Sequence, residues 1–136
     1  MDTIVPIFHS LTKNLNSIHK ESSNGISIVQ SSILHEISLG EKPSMQAVSD
    51  AVGMDITTFS RQINTLERKE LVVKTPYPGD RRFYLLALTE KGRAITECIN
   101  ESISVEMGKV FESMNDFERD TIVRSMNMLE ERLRTN

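Results

Sequence analysis

The chain has 136 residues, 38% of them hydrophobic and 26% charged, with a formal net charge of -3. That is the size and composition of one soluble globular domain, and neither a bilayer-spanning apolar run nor a signal peptide is present, so a cytoplasmic protein is expected. The single cysteine, Cys98, excludes an intrachain disulfide and a multi-cysteine metal cluster.

Residues 3–20 carry Ile4, Ile7, Phe8, Leu11, Leu15 and Ile18 at helical spacing, and Ser22, Ser23, Asn24 and Gly25 break the pattern. A second helix is expected over 26–39 with Ile28, Val29, Ile33, Leu34 and Ile37 inside, stopped by Gly40. "GEKPS" is a turn whose Ser44 can cap a short helix over 44–52. Gly53 suits the tight corner after it, and Asp55 can cap a helix over 56–69. The period then changes: "LVVKTPY" and "FYLLAL" read as two strands joined at "PYPGDRR". Thr89 and Glu90 open a long helix to about residue 113, and Asn115 or Asp116 caps a last one. The order is that of a winged helix–turn–helix flanked by helices. The fold class is mainly α with a small β-hairpin wing. The expected organisation is one domain, with a lobe over 26–90 and a helical region over 1–20 and 90–136.

Charge is placed unevenly along this order. Residues 61–93 hold eight basic side chains against four acidic ones, on a chain that is acidic as a whole. A basic zone on an acidic protein suits an anionic partner docking at one place.

The helix over 56–69 carries the most informative face. On a 100° wheel Phe59, Ile63 and Leu66 fall within about 60° of one another and form its buried side. Thr57, Arg61 and Asn64 lie opposite, Thr58, Ser60 and Thr65 flank them, and Gln62 stands near the boundary. Between residues 57 and 66 there is no Glu, Asp or Lys, the residues that usually fill a solvated helix face. The types present match a DNA major groove: arginine bridges guanine O6 and N7, Asn and Gln do the same on adenine, and a threonine methyl meets the thymine methyl. At the hairpin tip, "YPGDRR" places Arg81 and Arg82 where a guanidinium can enter a minor groove, with Asp80 suited to pair with an arginine and fix the turn. Ser44, Lys74, Asp80, Arg81 and Arg82 are the candidates for wing and backbone contacts.

Residues 47–92, "AVSDAVGMDITTFSRQINTLERKELVVKTPYPGDRRFYLLALTEKG", resemble the MarR family of bacterial transcriptional regulators. Asp80, Arg82, Leu88, Thr89 and Gly92 within "DRRFYLLALTEKG" are similar to that family's wing signature and the start of its long dimer helix. The resemblance implies a homodimer, a pseudo-palindromic double-stranded DNA operator, repression in most members, and release by a small-molecule effector in many. It also implies that Arg82 is the minor-groove arginine. The apolar residues of the end helices favour a two-fold dimer independently, because one lobe offers too little surface to cover them.

The sensed signal is less legible. His9 and His35, on the first two helices, either meet a carboxylate effector or are surface or satisfied histidines. No histidine lies on the long helix, so a zinc site there is not expected, and Cys98 reads as a packed thiol. No cofactor is expected. A Gly-rich phosphate loop, a metal-spaced His/Cys set and a Ser/His/Asp context are all missing, so an enzyme is not expected. The alternative, a winged-helix protein-interaction module without sequence-specific DNA binding, calls for an apolar or acidic reading face, which residues 57–65 lack.

Overall fold

The computed structural model describes residues 2–22 and 25–136. Helices and one antiparallel hairpin follow in the order α1 (Ile4–Ser22), α2 (Ile28–Leu39), α3 (Met45–Ala51), α4 (Ile56–Arg68), β1 (Val72–Tyr77), β2 (Asp80–Leu88), α5 (Glu90–Glu112) and α6 (Asp116–Arg134). The fold is thus mainly α with a β-hairpin wing. Of the break expected after the first helix, Ser23 and Asn24 lie outside the described residues, while α1 itself runs on to Ser22.

Local chemistry sets the helix starts. Ser44 Oγ accepts from the Ala47 N–H at 3.1 Å, and Asp55 Oδ1 accepts from the Thr58 N–H at 3.0 Å. Thr89 Oγ1 accepts from the Gly92 N–H at 2.9 Å. Of the two candidate caps for the last helix, Asn115 takes the role and closes a capping box with Glu118. The second helix begins later than its apolar pattern suggests, because Ser27 and Gln30 form a capping box that fixes its start at Ile28. Its inner face is also narrower. Ile33, Leu34 and Ile37 are buried, but Ile28 and Val29 are exposed. Both are expected inside from the sequence; periodicity gives the apolar face, but among the described residues no neighbour of the first helical turn covers these two.

The chain divides into two compact units, Met1–Ser102 and Ile103–Asn136. In the first, the core gathers Ile33, Leu34, Phe59, Ile63, Leu66 and Leu86, all fully buried. The corner between α3 and α4 turns at Gly53, with φ +68, and is held by the buried Ser49, whose Oγ donates to the Met54 carbonyl at 2.6 Å. The hairpin pairs Val72 with Leu88 through Pro76 with Tyr84, then shifts register to pair Tyr77 with Asp80. Pro78 and Gly79 alone make the turn, and Gly79, at φ +87, supplies the positive φ that a type II turn requires after a proline. The second strand therefore starts at Asp80, three residues before the apolar run that announced it. Its other edge meets the loop before α3, where the Leu86 N–H donates to the Pro43 carbonyl at 2.8 Å and Ser44 bridges to Leu85.

The long helix is joined to the lobe at one close contact. A Cβ on Gly92 would stand 2.0 Å from the Leu71 carbonyl oxygen. That oxygen accepts from the Thr89 N–H at 3.0 Å, and Thr89 Oγ1 donates to the Glu70 carbonyl at 2.6 Å. Lys91 Nζ adds a bond to the Lys69 carbonyl at 3.2 Å. The end of α4, the start of β1 and the start of α5 are thus fixed to one another by bonds to successive backbone carbonyls. In the second unit, α6 follows a tight corner at which Arg119 Nη1 donates to the Phe111 carbonyl at 3.0 Å.

Gly92→Ala is expected to cost about 3 kcal/mol, since a backbone carbonyl cannot yield to a methyl as a side chain can. Urea unfolding at fixed protein concentration measures it. A variant that unfolds at the parent's midpoint would show that α5 moves aside freely.

Candidate nucleic-acid interface

Helix α4 shows two faces. Phe59, Ile63 and Leu66 are fully buried, and Thr57, Arg61 and Asn64 are exposed on the far side. Thr58, Thr65 and Gln62 are drawn into bonds within the molecule. Thr58 Oγ1 donates to Asp55 Oδ2 at 2.8 Å. Thr65 Oγ1 donates to the Arg61 carbonyl at 3.1 Å and accepts from Arg68 Nη2 at 3.1 Å. Ser60 is half-buried. Gln62 Oε1 turns back towards α2 and accepts from Gln30 Nε2 at 3.3 Å. The candidate residues on α4 therefore separate into an outward set, Thr57, Arg61 and Asn64, and a tethered set, Thr58, Gln62 and Thr65. Asp55 also holds the first turn of α4 with its own charge. Its carboxyl lies below the usual 3.8, first because of the Thr58 N–H and then because of the Thr58 hydroxyl. A phosphate approaching this helix end meets that carboxylate as well as the amide dipoles.

At the wing, Asp80 and Arg82 form a closed local pair. Asp80 Oδ1 accepts from the Arg82 N–H at 3.0 Å and from Arg82 Nε at 3.1 Å, while Oδ2 accepts from Arg82 Nη2 at 3.0 Å. The two residues sit two apart on one strand, on the same side by the period of two, so a fork-like guanidinium spans the gap. The Arg82 side chain nevertheless remains 85% exposed. Its partner fixes the direction of the guanidinium without covering it. The Asp80 carboxyl is held below its usual 3.8, chiefly by the Arg82 side chain and then by the Arg82 backbone, and the Arg82 guanidinium is raised in turn. Arg81 is exposed beside them. Lys74 sits further down β1, with Nζ 3.9 Å from Glu67 and 4.8 Å above the Tyr84 ring. Ser44 is occupied as the cap of α3.

A cleft of about 810 Å³ opens within the first unit, between the end of α2, the base of β2 and the first turns of α5. Lys42 and Arg93 face it together with Glu41 and Glu97, over an apolar floor that includes Ile37 and Leu86. Neither His9 nor His35 lines it. His9 is exposed and packs edge-on against Phe8 with ring centroids 5.6 Å apart. His35 is exposed and has its Nδ1 3.5 Å from Nδ2 of Asn100, which does line the cleft. Cys98, expected to be packed, is exposed on α5. The neighbouring turn buries Thr96 and Ile99 instead, and Cys98 falls outside that strip.

Sequence reasoning overlooked Gln30. The S-x-x-Q pattern of Ser27 and Gln30 was a visible signal for the capping box. Nothing local pointed to its second partner, Gln62, 32 residues away.

A family model described as MarR family matches residues 24–82. The HTH-type transcriptional regulator SarZ of Staphylococcus aureus is 35% identical over 88 residues, which cover 65% of this chain and 57% of SarZ. The chain thus spans little more than half the length of the curated relatives it matches. The fold is shared with solved structures. Streptococcus pneumoniae FabT in complex with DNA aligns with a TM-score of 0.85 at 24% identity, over 97% of this chain and 96% of that one. A MarR transcriptional regulator from Methanosarcina mazei Go1 aligns with a TM-score of 0.84 at 23% identity, over the same shares, 97% and 96%.

The lowered Asp80 carboxyl has a direct test. The pair contributes to wing order above the ordinary carboxylate value, and the contribution is lost as pH falls through the depressed one. Carboxyl NMR titration should give Asp80 a midpoint below 3.8, and Arg82→Ala should move it upward. A midpoint that does not respond to Arg82→Ala would exclude the pair in solution.

Proposed function

We propose that the chain is a MarR-family member and a sequence-specific DNA-binding transcriptional regulator, a reading supported by the family model over residues 24–82 and by the likeness to SarZ. It acts as a repressor and binds a pseudo-palindromic operator as a homodimer. The observation that carries this reading is the outward face of α4. Thr57, Arg61 and Asn64 stand exposed over a fully buried apolar side, and no acidic residue stands among them. Arg61 reads guanine, Asn64 reads adenine and Thr57 offers a methyl to thymine. Arg82, exposed and aimed by Asp80, enters the adjacent minor groove.

The homodimer is supported by what each end helix leaves uncovered. Phe8 on α1 is 63% exposed and Phe117 on α6 is 78% exposed, each among further exposed aliphatic side chains. Monomeric soluble proteins seldom present such continuous apolar faces to water. A second copy covers both, and a two-fold axis sets the reading helices about 34 Å apart, one turn of DNA. Release by a small-molecule effector is supported by the cleft beside β2 and α5. A ligand seated there touches the end of α2, the base of β2 and the first turns of α5 at once, so it biases how α2 sits against the joined wing and long helix.

Selection of bound sequences from random duplexes tests the whole reading, since the enriched sequence should be two-fold symmetric with half-sites one turn apart. Enrichment of no sequence would favour the protein-interaction module instead. Arg61→Ala should cost about 1–3 kcal/mol of operator binding and relax the base preference at one position per half-site. An unchanged preference would remove Arg61 from the groove. Arg82→Ala should weaken binding to all sequences and reduce the slope of log affinity against log salt by about 0.9 for each phosphate that the side chain no longer neutralises. An unaltered slope and affinity would remove the wing from the interface.

A further inference from the structure

Behind the reading helix lies a small, half-buried polar network that the outward face does not require. Gln30 stands in the first turn of α2, outside the helix–turn–helix, and is only 9% exposed. Its Oε1 accepts from the Ser27 N–H at 3.3 Å and lies 3.5 Å from Lys69 Nζ. Both of those groups are donors only, so the oxygen must face them. That leaves the Gln30 Nε2 to donate to Gln62 Oε1, at 3.3 Å. Gln62 in turn must present its oxygen to α2. The orientation of both amides is therefore set by the network and not by their own surroundings.

This matters because of where Gln62 sits. It follows Arg61 directly and stands at the edge of the outward face, within reach of a groove if its side chain were released. A glutamine reads adenine by placing its oxygen and its NH₂ against one base edge together. With the oxygen turned back to α2, the two ends cannot face a base at the same time. We propose that Gln30 is a positioning residue for sequence preference. It withholds Gln62 from the groove, so that each half-site is read by Arg61 and Asn64 without a competing adenine contact between them. This rests on the DNA-reading function proposed above.

Two kinds of measurement test it. In the first, sequences are selected from random duplexes with the wild-type chain, Gln30→Met, Gln30→Glu, Gln62→Ala and the Gln30→Met/Gln62→Ala double variant. Gln30→Met removes the tether while keeping side-chain length. It should gain a preference for adenine at one position per half-site by roughly 5- to 100-fold. Gln30→Glu keeps an acceptor for Ser27 and can accept from a flipped Gln62 amide, so it should retain the wild-type preference. The double variant should show the preference of Gln62→Ala alone, because the gain needs the released amide.

A Gln30→Met protein that enriches the wild-type operator overturns the tether. So does a changed preference that persists in the double variant, or one spread over several positions, since either marks general loss of structure. A wild-type chain that enriches no sequence overturns the regulator reading itself, a result distinct from these. In the second measurement, which needs no variant, the nuclear Overhauser effect between the Gln30 side-chain amide and the Gln62 side chain is followed in the wild-type protein. It should be present in the free protein and persist on the enriched operator; its absence, or its loss on binding, overturns the proposal.

Discussion

The lobe and the long helix meet where Gly92 lies against the Leu71 carbonyl, at a separation that leaves no room for a β-carbon. Most of what this chain can do depends on that contact. Three elements end or begin there: α4 finishes, the wing starts and α5 sets off. Thr89 binds the joint with its backbone N–H and its hydroxyl, to Leu71 and Glu70 respectively. Glu70 accepts a φ of +62, a conformation costly for a residue with a side chain, so that Leu71 can turn its N–H back to Leu66. The outcome is a wing and an α4 whose relation to α5 is fixed by hydrogen bonds to three successive backbone carbonyls, those of Lys69, Glu70 and Leu71.

On this joint the sequence spends local stability to build a surface. Thr, Ser and Asn are poorer helix formers than the Glu and Lys that could replace them on α4, yet they occupy its outward turns. Part of that cost is offset nearby. Asp55 caps the helix through Thr58, and Thr65 links the Arg61 carbonyl to Arg68. The wing follows the same pattern. Asp80 lowers the local positive charge, which by itself weakens attraction to an anion. In exchange it holds a flexible arginine in one direction while leaving it almost fully in water. Less of the ordering entropy is then left to be lost on binding.

The two units differ in how far one chain completes them. Apart from α1, whose apolar face is exposed, the first has an apolar core and a well-capped set of short helices. The second has no buried residue on α6 at all, although Ile122, Val123, Met126 and Leu129 recur there at helical spacing. An amphipathic pattern without a covered face is unfinished structure in energetic terms, because its apolar stripe gains nothing until something excludes water from it. The proposed dimer answers that need.

The sequence by itself determined the helices, the hairpin and the inward and outward sides of α4, because these follow from side-chain period, capping residues and turn chemistry within a few positions. It also marked Gly92, Asp80 and Arg82 through a family pattern, though without a reason for the glycine. The tertiary structure alone decided which apolar residues found cover, as Ile33 did and Ile28 did not, and it left Cys98 exposed. It alone turned Gln62 towards Gln30 and placed Gly92 against Leu71. Each of these turns on whether positions far apart in the chain meet, and a local period records which face a side chain occupies but not what stands opposite it.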